Sequence, residues 1–391
     1  MQPVLVTGGA GFIGSHTCKA LATEGFLPVA FDDLSRGHAE FVRWGPLVRG
    51  DILNAAQLDR AFEHYRPVAV IHFAALAYVG ESVTRPLPYY RVNVAGLVNV
   101  LEAMIRHLTK TIVFSSSCAT YGIPEKLPIT ESAPQHPINP YGRTKLACEQ
   151  IMADACEAQH LRVAMLRYFN AAGADTQSGL VERHDPETHL IPLAIDAATG
   201  RGPPLKIFGS DYPTPDGTCE RDFIHVCDLA AAHVAALRHL QGGNSLLALN
   251  LGSGKAYSVR AVVDAVKRVC KCPCLSPSGD PETLRSLSPM RHWPAARSAS
   301  RHASQTSTLL SPQLGAHASS RCTANSFNFP CDISANAGAQ VSASAVNDVD
   351  ELRADKLSPY PNGLICNRCL RASGIGVSLN SPSLSIKRTI P

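Results

Sequence analysis

Tyr141 and Lys145 stand four residues apart in Pro140-Tyr141-Gly142-Arg143-Thr144-Lys145, a segment that reads as the start of a helix. Positions i and i+4 share a helix face, so the ammonium is expected beside the phenol one turn before it. A free tyrosine has a pKa of about 10 and is a poor base at neutral pH. A close positive charge favours the phenolate and lowers that value. The pair would then act as a general base for a hydroxyl proton. This spacing alone also occurs on many bland surface helices, and its meaning depends on what the chain builds around it.

Upstream, residues 3–7 form a short apolar strand, followed by Gly8-Gly9-Ala10-Gly11-Phe12-Ile13-Gly14-Ser15-His16. Gly9, Gly11 and Gly14 satisfy G-x-G-x-x-G, and Gly8, Gly11 and Gly14 the looser G-x-x-G-x-x-G. Such a loop lets backbone approach a pyrophosphate at a helix N-terminus. The helix is expected over 17–25 and a second strand over 28–31, ending at Asp32-Asp33. Asp32 stands where an acidic residue accepts from the adenosine ribose hydroxyl. A carboxylate there repels a 2′-phosphate, so the motif predicts NAD rather than NADP. Arg36 is the counter-indication, and as a loop residue it is read as solvated.

The elements that must position these residues follow by periodicity. Strands are expected at 47–52, 68–73, 111–115 and 162–168, alternating with helices at 55–65, at 89–105 and from 139 onward. This is the pattern of an α/β doubly wound parallel sheet, a Rossmann fold, with ligands at the carboxyl ends of the strands. Ser117 lies just past the fifth strand on the rim that Tyr141 shares, which makes it a catalytic candidate. From about Asn170 to Gly217 the alternation loosens into loops of the kind that carry specificity. Arg221 then precedes a helix at 228–240. It is a candidate phosphate contact through its guanidinium, with an ion pair to a nearby acid as the alternative. His225, inside an apolar run, reads as a hydrogen-bonded core residue. A strand at 247–251 and a helix at 259–269 close the ordered part.

The 391 residues are 45% hydrophobic, enough for a substantial core, and carry a net charge of +4. That charge, without basic runs interleaved with aromatics, argues against nucleic acid. No stretch reads as a secretory signal or a membrane span, so a cytoplasmic protein with no membrane partner is expected. Of the 13 cysteines, Cys18, Cys118, Cys148, Cys156, Cys219 and Cys227 read as reduced, packed thiols. Cys270-x-Cys272-x-Cys274 and Cys366-x-x-Cys369 lack a completing pair at finger spacing, and no metal is expected.

Taken together, the glycine loop, Ile71-His72-Phe73-Ala74-Ala75, Val79-Gly80-Glu81-Ser82, Ser115-Ser116-Ser117, Asn139-Pro140-Tyr141-Gly142, Leu166-Arg167-Tyr168-Phe169-Asn170, Asp216-Gly217-Thr218 and Arg221-Asp222 closely resemble the UDP-glucose 4-epimerases of the extended short-chain dehydrogenase/reductase superfamily. Cys118-Ala119-Thr120-Tyr121-Gly122 and the run at 186–192 resemble the branch that supplies bacterial exopolysaccharides. The likeness runs from about residue 3 to 254 and more weakly to 284.

The resemblance implies that Tyr141 is the acid and base. It implies that Lys145 lowers the Tyr141 pKa and bonds the nicotinamide ribose, and that Ser117 bonds the reacting hydroxyl. Gly8, Gly11, Phe12, Ile13, Gly14, Asp32, Asp51, Ile52, Phe73 and Asn93 would line NAD. Asn170 and Arg221 would meet the phosphates of UDP-glucose or UDP-galactose, with Phe208 beside the uracil. A homodimer is implied as well. Relatives' lysine near the NAD pyrophosphate is Ala77 here, and their asparagine on the substrate side is His189. A dehydratase would need an acid/base pair after the serine, where this chain has Cys118-Ala119. UDP-xylose/UDP-arabinose interconversion, or a catalytically inactive NAD-binding protein, are the alternatives. The expected domains are 1–170 for NAD, 171–284 for an incomplete UDP-sugar lobe, and a low-complexity or frameshifted tail at 285–391. That tail has no counterpart to the family's last helices, and the shortened segment 273–279 holds no arginine before Gly279-Asp280.

Overall fold

The computed structural model describes residues 1–270. The expectations for Cys272, Cys274, Cys366, Cys369, Gly279-Asp280 and the segment 285–391 lie outside the described residues. The first half of the chain runs β1 (Gln2–Thr7), α1 (Phe12–Thr23), β2 (Phe26–Asp32), β3 (Leu47–Arg49), α2 (Ala55–Tyr65), β4 (Ala69–His72), α3 (Val79–Thr84), α4 (Pro86–Tyr89), α5 (Gly96–Arg106), β5 (Thr111–Ser117), α6 (Pro140–Gln159) and β6 (Arg162–Tyr168). It continues with β7 (Asn170–Ala172), α7 (Leu190–Ala198), β8 (Glu220–His225), α8 (Val226–Gln241), β9 (Leu246–Leu251), β10 (Ala256–Ser258) and α9 (Val259–Cys270).

Seven strands form one sheet in the order β3-β2-β1-β4-β5-β6-β9, every pair parallel. Both faces are covered, as a parallel sheet requires. Alternate residues sort to opposite sides. Leu5, Phe31, Val70, Ile112, Phe114 and Val163 pack with Leu58 and Phe62 of α2, Leu97 and Met104 of α5 and Met152 of α6. Val4, Val6, Ala30, Ile71, Val113 and Leu166 face Cys18 and Leu21 of α1 and Leu229, Val234 and Leu237 of α8. The strand order reverses between β1 and β4, where the amides of Phe73 and Ala74 donate to Thr7 O at 2.9 and 3.1 Å. That switch point is where a doubly wound sheet opens a crevice for ligands.

A smaller three-stranded sheet, β10-β8-β7, pairs β7 with β8 in parallel and β8 with β10 antiparallel. Beside it Ala194 and Ala198 of α7 pack on Val263 and Val266 of α9. The chain after residue 170 is therefore shared between two places. β7, α7, β8, β10 and α9 build the smaller unit, whereas α8 and β9 return to the large sheet.

Two elements depart from the periodicity reading. α1 starts at Phe12, not 17, with Gly11 as its N-cap. Gly14 is poor in helix propensity, yet it lies inside α1 because a Cβ there would come within 2.1 Å of Gly8 O. The helix expected over 89–105 contains a π-helical turn at Tyr90–Ala95 between α4 and α5. Such turns cluster at functional sites, and this one holds Asn93.

Candidate active site

The loop after β1 is shaped by what its glycines exclude. Gly8 has φ +71°, and a Cβ on it would stand 2.7 Å from Ala74 N. Gly11 meets nothing closer than Gly8 O at 3.3 Å, so its outer side is open. No side chain caps α1 and no acid lies in its first turn. Its first N–H groups therefore point out of the helix as a ready anion site. Phe12 is buried at that N-terminus and Ile13 half-buried.

At the end of β2, Asp32 is 7% exposed. Its carboxylate accepts from Ala10 N at 3.0 Å and Leu34 N at 2.9 Å. Burial pushes its pKa up, and the two backbone bonds oppose that rise. An acid fixed beside the glycine loop, together with the open helix end, fits an adenosine dinucleotide. Arg36 is not simply solvated, as expected from sequence. Its guanidinium donates to Asp185 O at 2.9 Å and lies 4.7 Å from the centre of the Tyr78 ring.

The other nucleotide candidates divide by what their side chains touch. Asp51 accepts from Leu53 N at 2.8 Å. Ile52 is a core residue, and a Cβ on Gly96 would be 2.4 Å from its Cδ1. Phe73 packs on His233 with centroids 4.7 Å apart. Asn93 accepts from Leu76 N at 2.8 Å and donates to Leu76 O and Thr144 Oγ1, both at 3.0 Å. Its amide thereby ties the loop after β4 to the helix that carries Tyr141.

That helix, α6, is started by Asn139, whose side chain accepts from Gly142 N at 2.8 Å, and by proline at its first position. Both are strong N-terminal signals. Tyr141 N donates to Ser82 Oγ at 3.2 Å. Ser117, at the end of β5, accepts from Ala119 N at 3.1 Å, and its hydroxyl stands close enough to the Tyr141 phenol to favour the phenolate. The structure therefore brings Ser117 and Tyr141 together.

Lys145 behaves differently from the sequence expectation. It is 3% exposed, and its ammonium donates to Ser115 O at 2.7 Å. Nζ is 4.8 Å from the centre of the Phe114 ring and 5.8 Å from that of Tyr141. The phenol is not lowered in the protein by itself. Burial raises the Tyr141 pKa, Tyr168 adds to the rise, and Ser117 opposes it. Burial also drops Lys145 to about 8.

On the other side of the rim, Asn170 donates to Asp222 O at 2.8 Å. Burial pushes the Cys118 thiol up to about 11, and the charge of Arg221 pulls against that rise, which places Arg221 near the Ser117–Cys118 corner. Phe208 stands away from any core at 67% exposure. His225 is half-buried and caps α8, accepting from Cys227 N at 3.2 Å.

Sequence reasoning missed the framework under α6. Glu149, two turns beyond Tyr141, is 4% exposed and pairs with Arg167 of β6 at 2.7 Å. Arg167 also donates to Tyr121 Oη at 2.8 Å and Glu131 O at 3.1 Å. Ser116 donates to the same glutamate. Their signal was present as charged residues inside apolar runs, but the partners lie 18 or more positions apart.

A glycine loop at the switch point of a parallel sheet, an acid at the end of β2 and a serine–tyrosine pair on the same rim define a dinucleotide-binding α/β enzyme. Residues 4–252 match the NAD dependent epimerase/dehydratase family. The chain is 53% identical over 270 residues to the UDP-glucose 4-epimerase of Rhizobium meliloti (strain 1021), covering 69% of this chain and 82% of that protein. Among solved structures it is similar to the UDP-glucose 4-epimerase of Brucella ovis in complex with NAD, at 57% identity and TM-score 0.68, covering 68% of this chain and 82% of the other. The Bifidobacterium longum UDP-glucose 4-epimerase in complex with NAD+ and UDP is 37% identical, with TM-score 0.66 and coverage of 70% and 84%. This chain belongs to the NAD dependent epimerase/dehydratase family, and its cofactor is NAD.

If Asp32 reads the ribose, Asp32→Ser should narrow the preference for NAD over NADP. The hydroxyl can still accept from the loop amides, but the repulsion of a 2′-phosphate is gone. Dissociation constants of both cofactors on both proteins check this, and an unchanged ratio would move the recognition elsewhere.

Proposed function

We propose that this chain interconverts UDP-glucose and UDP-galactose by oxidising C4 of the hexose and reducing it again from the other face. The observation that carries the reading is the juxtaposition of Ser117 and Tyr141 at the strand rim, on the same edge of the sheet as the open N-terminus of α1. The likeness to proteins named UDP-glucose 4-epimerase selects the sugar nucleotide.

NAD, when bound, supplies the hydride acceptor and a positive charge that favours the phenolate. Tyr141 takes the C4 hydroxyl proton and later returns it, and Ser117 holds that hydroxyl within reach. Lys145, anchored on Ser115 O, fixes the end of β5 and keeps a positive charge under the tyrosine ring. Gly8, Gly11, Phe12, Ile13, Gly14, Asp32, Asp51, Ile52, Phe73 and Asn93 shape the nucleotide crevice, with Ile52 and Asn93 acting by packing and by holding the loop after β4. Asn170 and Arg221 are assigned to the diphosphate of the substrate and Phe208 to its base. The protein is read as a cytoplasmic homodimer. The dimer rests on the family likeness alone, and the compartment is supported by the thiols of Cys18, Cys118, Cys148, Cys156 and Cys219. Among the described residues no helix is long and apolar enough to cross a membrane.

Purified protein given UDP-galactose should form UDP-glucose, read by proton NMR beside parallel samples of UDP-xylose and UDP-arabinose. Conversion of the pentose pair alone would replace the substrate assignment. The pH profile tests Lys145. The group is charged below about 8 and neutral above it, so kcat/KM should fall as pH rises through that value. Lys145→Arg stays charged and should lose this alkaline limb while running at a lower plateau. The same limb in both proteins would assign it to another group.

A further inference from the structure

Glu182-x-His184-x-x-Glu187-x-His189 gathers two histidines and two glutamates in the segment leading into α7. One ligand atom from each of the four lies within 4.8 Å of all the others. His189 Nδ1 is 3.0 Å from Glu182 and 3.2 Å from Glu187. His184 Nδ1 is 3.6 Å from Glu182 and 3.5 Å from Glu187. Zinc holds imidazole nitrogen and carboxylate oxygen at about 2.0–2.2 Å in a tetrahedron, which sets neighbouring donors roughly 3.3–3.6 Å apart. The separations of both histidines from Glu182 Oε1, 3.6 and 3.0 Å, and of His189 from Glu187 Oε1, 3.2 Å, lie on or a few tenths of an ångström below that spacing, while His184 approaches the other oxygen of Glu187, Oε2, at 3.5 Å.

Hydrogen bonding accounts for only part of the cluster. His189 is bonded to Glu187, whereas His184 Nδ1 is buried and has no hydrogen-bond partner. Its separations from both carboxylates are at or beyond the useful limit of such a bond. The ring nitrogen lies within ion-pair distance of two carboxylates without a hydrogen bond to either, and a cation among the four groups would give it the partner it lacks. The geometry points to a divalent-cation site of the zinc class formed by Glu182, His184, Glu187 and His189. With four protein ligands it is a closed, structural site rather than one that activates water. His184 stands edge-on to Phe12 of the glycine loop at 6.3 Å and to Tyr78 at 6.0 Å, and His189 is the N-cap residue of α7. The bound ion would fasten the start of α7 against the nucleotide loop, and none of its ligands is Ser117, Tyr141 or Lys145.

The test uses the untagged full chain, stripped with a chelator and titrated with Zn2+ or Co2+. Metal content by plasma mass spectrometry should reach one ion per chain at this site. The Co2+ form should show tetrahedral visible absorption without a thiolate charge-transfer band in the near ultraviolet. His184→Asn and Glu187→Gln should each weaken binding by more than about ten-fold, since loss of even an outer partner costs that much. A chain that takes up no ion overturns the site. So does an ion whose affinity neither substitution changes, or a thiolate band, which would assign it to the cysteines. Should either variant lose its fold by circular dichroism, the ligand type read from the parent Co2+ spectrum still decides.

Discussion

Tyr141→Phe is expected to lower turnover by about a hundred- to ten-thousandfold, the range supplied by a positioned acid or base, while NAD stays bound. The substitution removes one oxygen from a ring that is only partly exposed. It leaves the cap on Gly142 and the bond from residue 141 N to Ser82 untouched. The glycine loop and Asp32 are on other elements, so the nucleotide crevice keeps its form. The checks are kcat for UDP-galactose and the NAD content of the purified variant. Near-parental turnover would remove Tyr141 from the chemistry. Loss of both turnover and NAD would make it a structural residue.

The largest effect on stability is expected from the pair beneath it. Glu149 and Arg167 are 4% and 6% exposed, and two guanidinium nitrogens of Arg167 reach the carboxylate within 3.2 Å. Burial lowers the Arg167 pKa but is outweighed by Glu149 and Tyr121, so the arginine is held firmly charged. Removing one partner strands the other charge in the interior, which costs about 3–5 kcal/mol. For a fold of this size that is a fall in melting temperature on the order of 10 °C. Glu149→Ala and Arg167→Ala should both show it by thermal denaturation. Replacing both residues with methionine should cost less than either single change, because no charge is left unpaired. A double substitution as damaging as the sum of the two singles would mean that the pair is not coupled.

What could be read from the sequence was what is written locally. The glycine loop, Asp32 and the serine–tyrosine–lysine set each declare themselves within a few residues, and the strand and helix periods place them on one rim. The start of α1 was missed because glycines argue against helix, and only the tertiary clash at Gly14 shows why one belongs there. The lowered Tyr141 pKa was inferred from i, i+4 spacing. Spacing does not tell that Lys145 turns to Ser115 O, nor that burial would hold the phenol's pKa up. Ser82 beneath Tyr141 N, Asn93 on its π-helical turn and the Glu149–Arg167 pair are made by residues brought together only when β4, β5 and β6 are side by side. The histidine–glutamate cluster is local in sequence, but its loop has no periodicity to announce which way the side chains turn.

The central claim is that C4 of the sugar is oxidised and then reduced by the same hydrogen within one site. UDP-galactose carrying deuterium at C4 tests it most directly. The account predicts UDP-glucose that keeps the deuterium at C4, with none released to water and none taken from it. Product that has exchanged its label with solvent, or no product from protein that holds NAD, would contradict it.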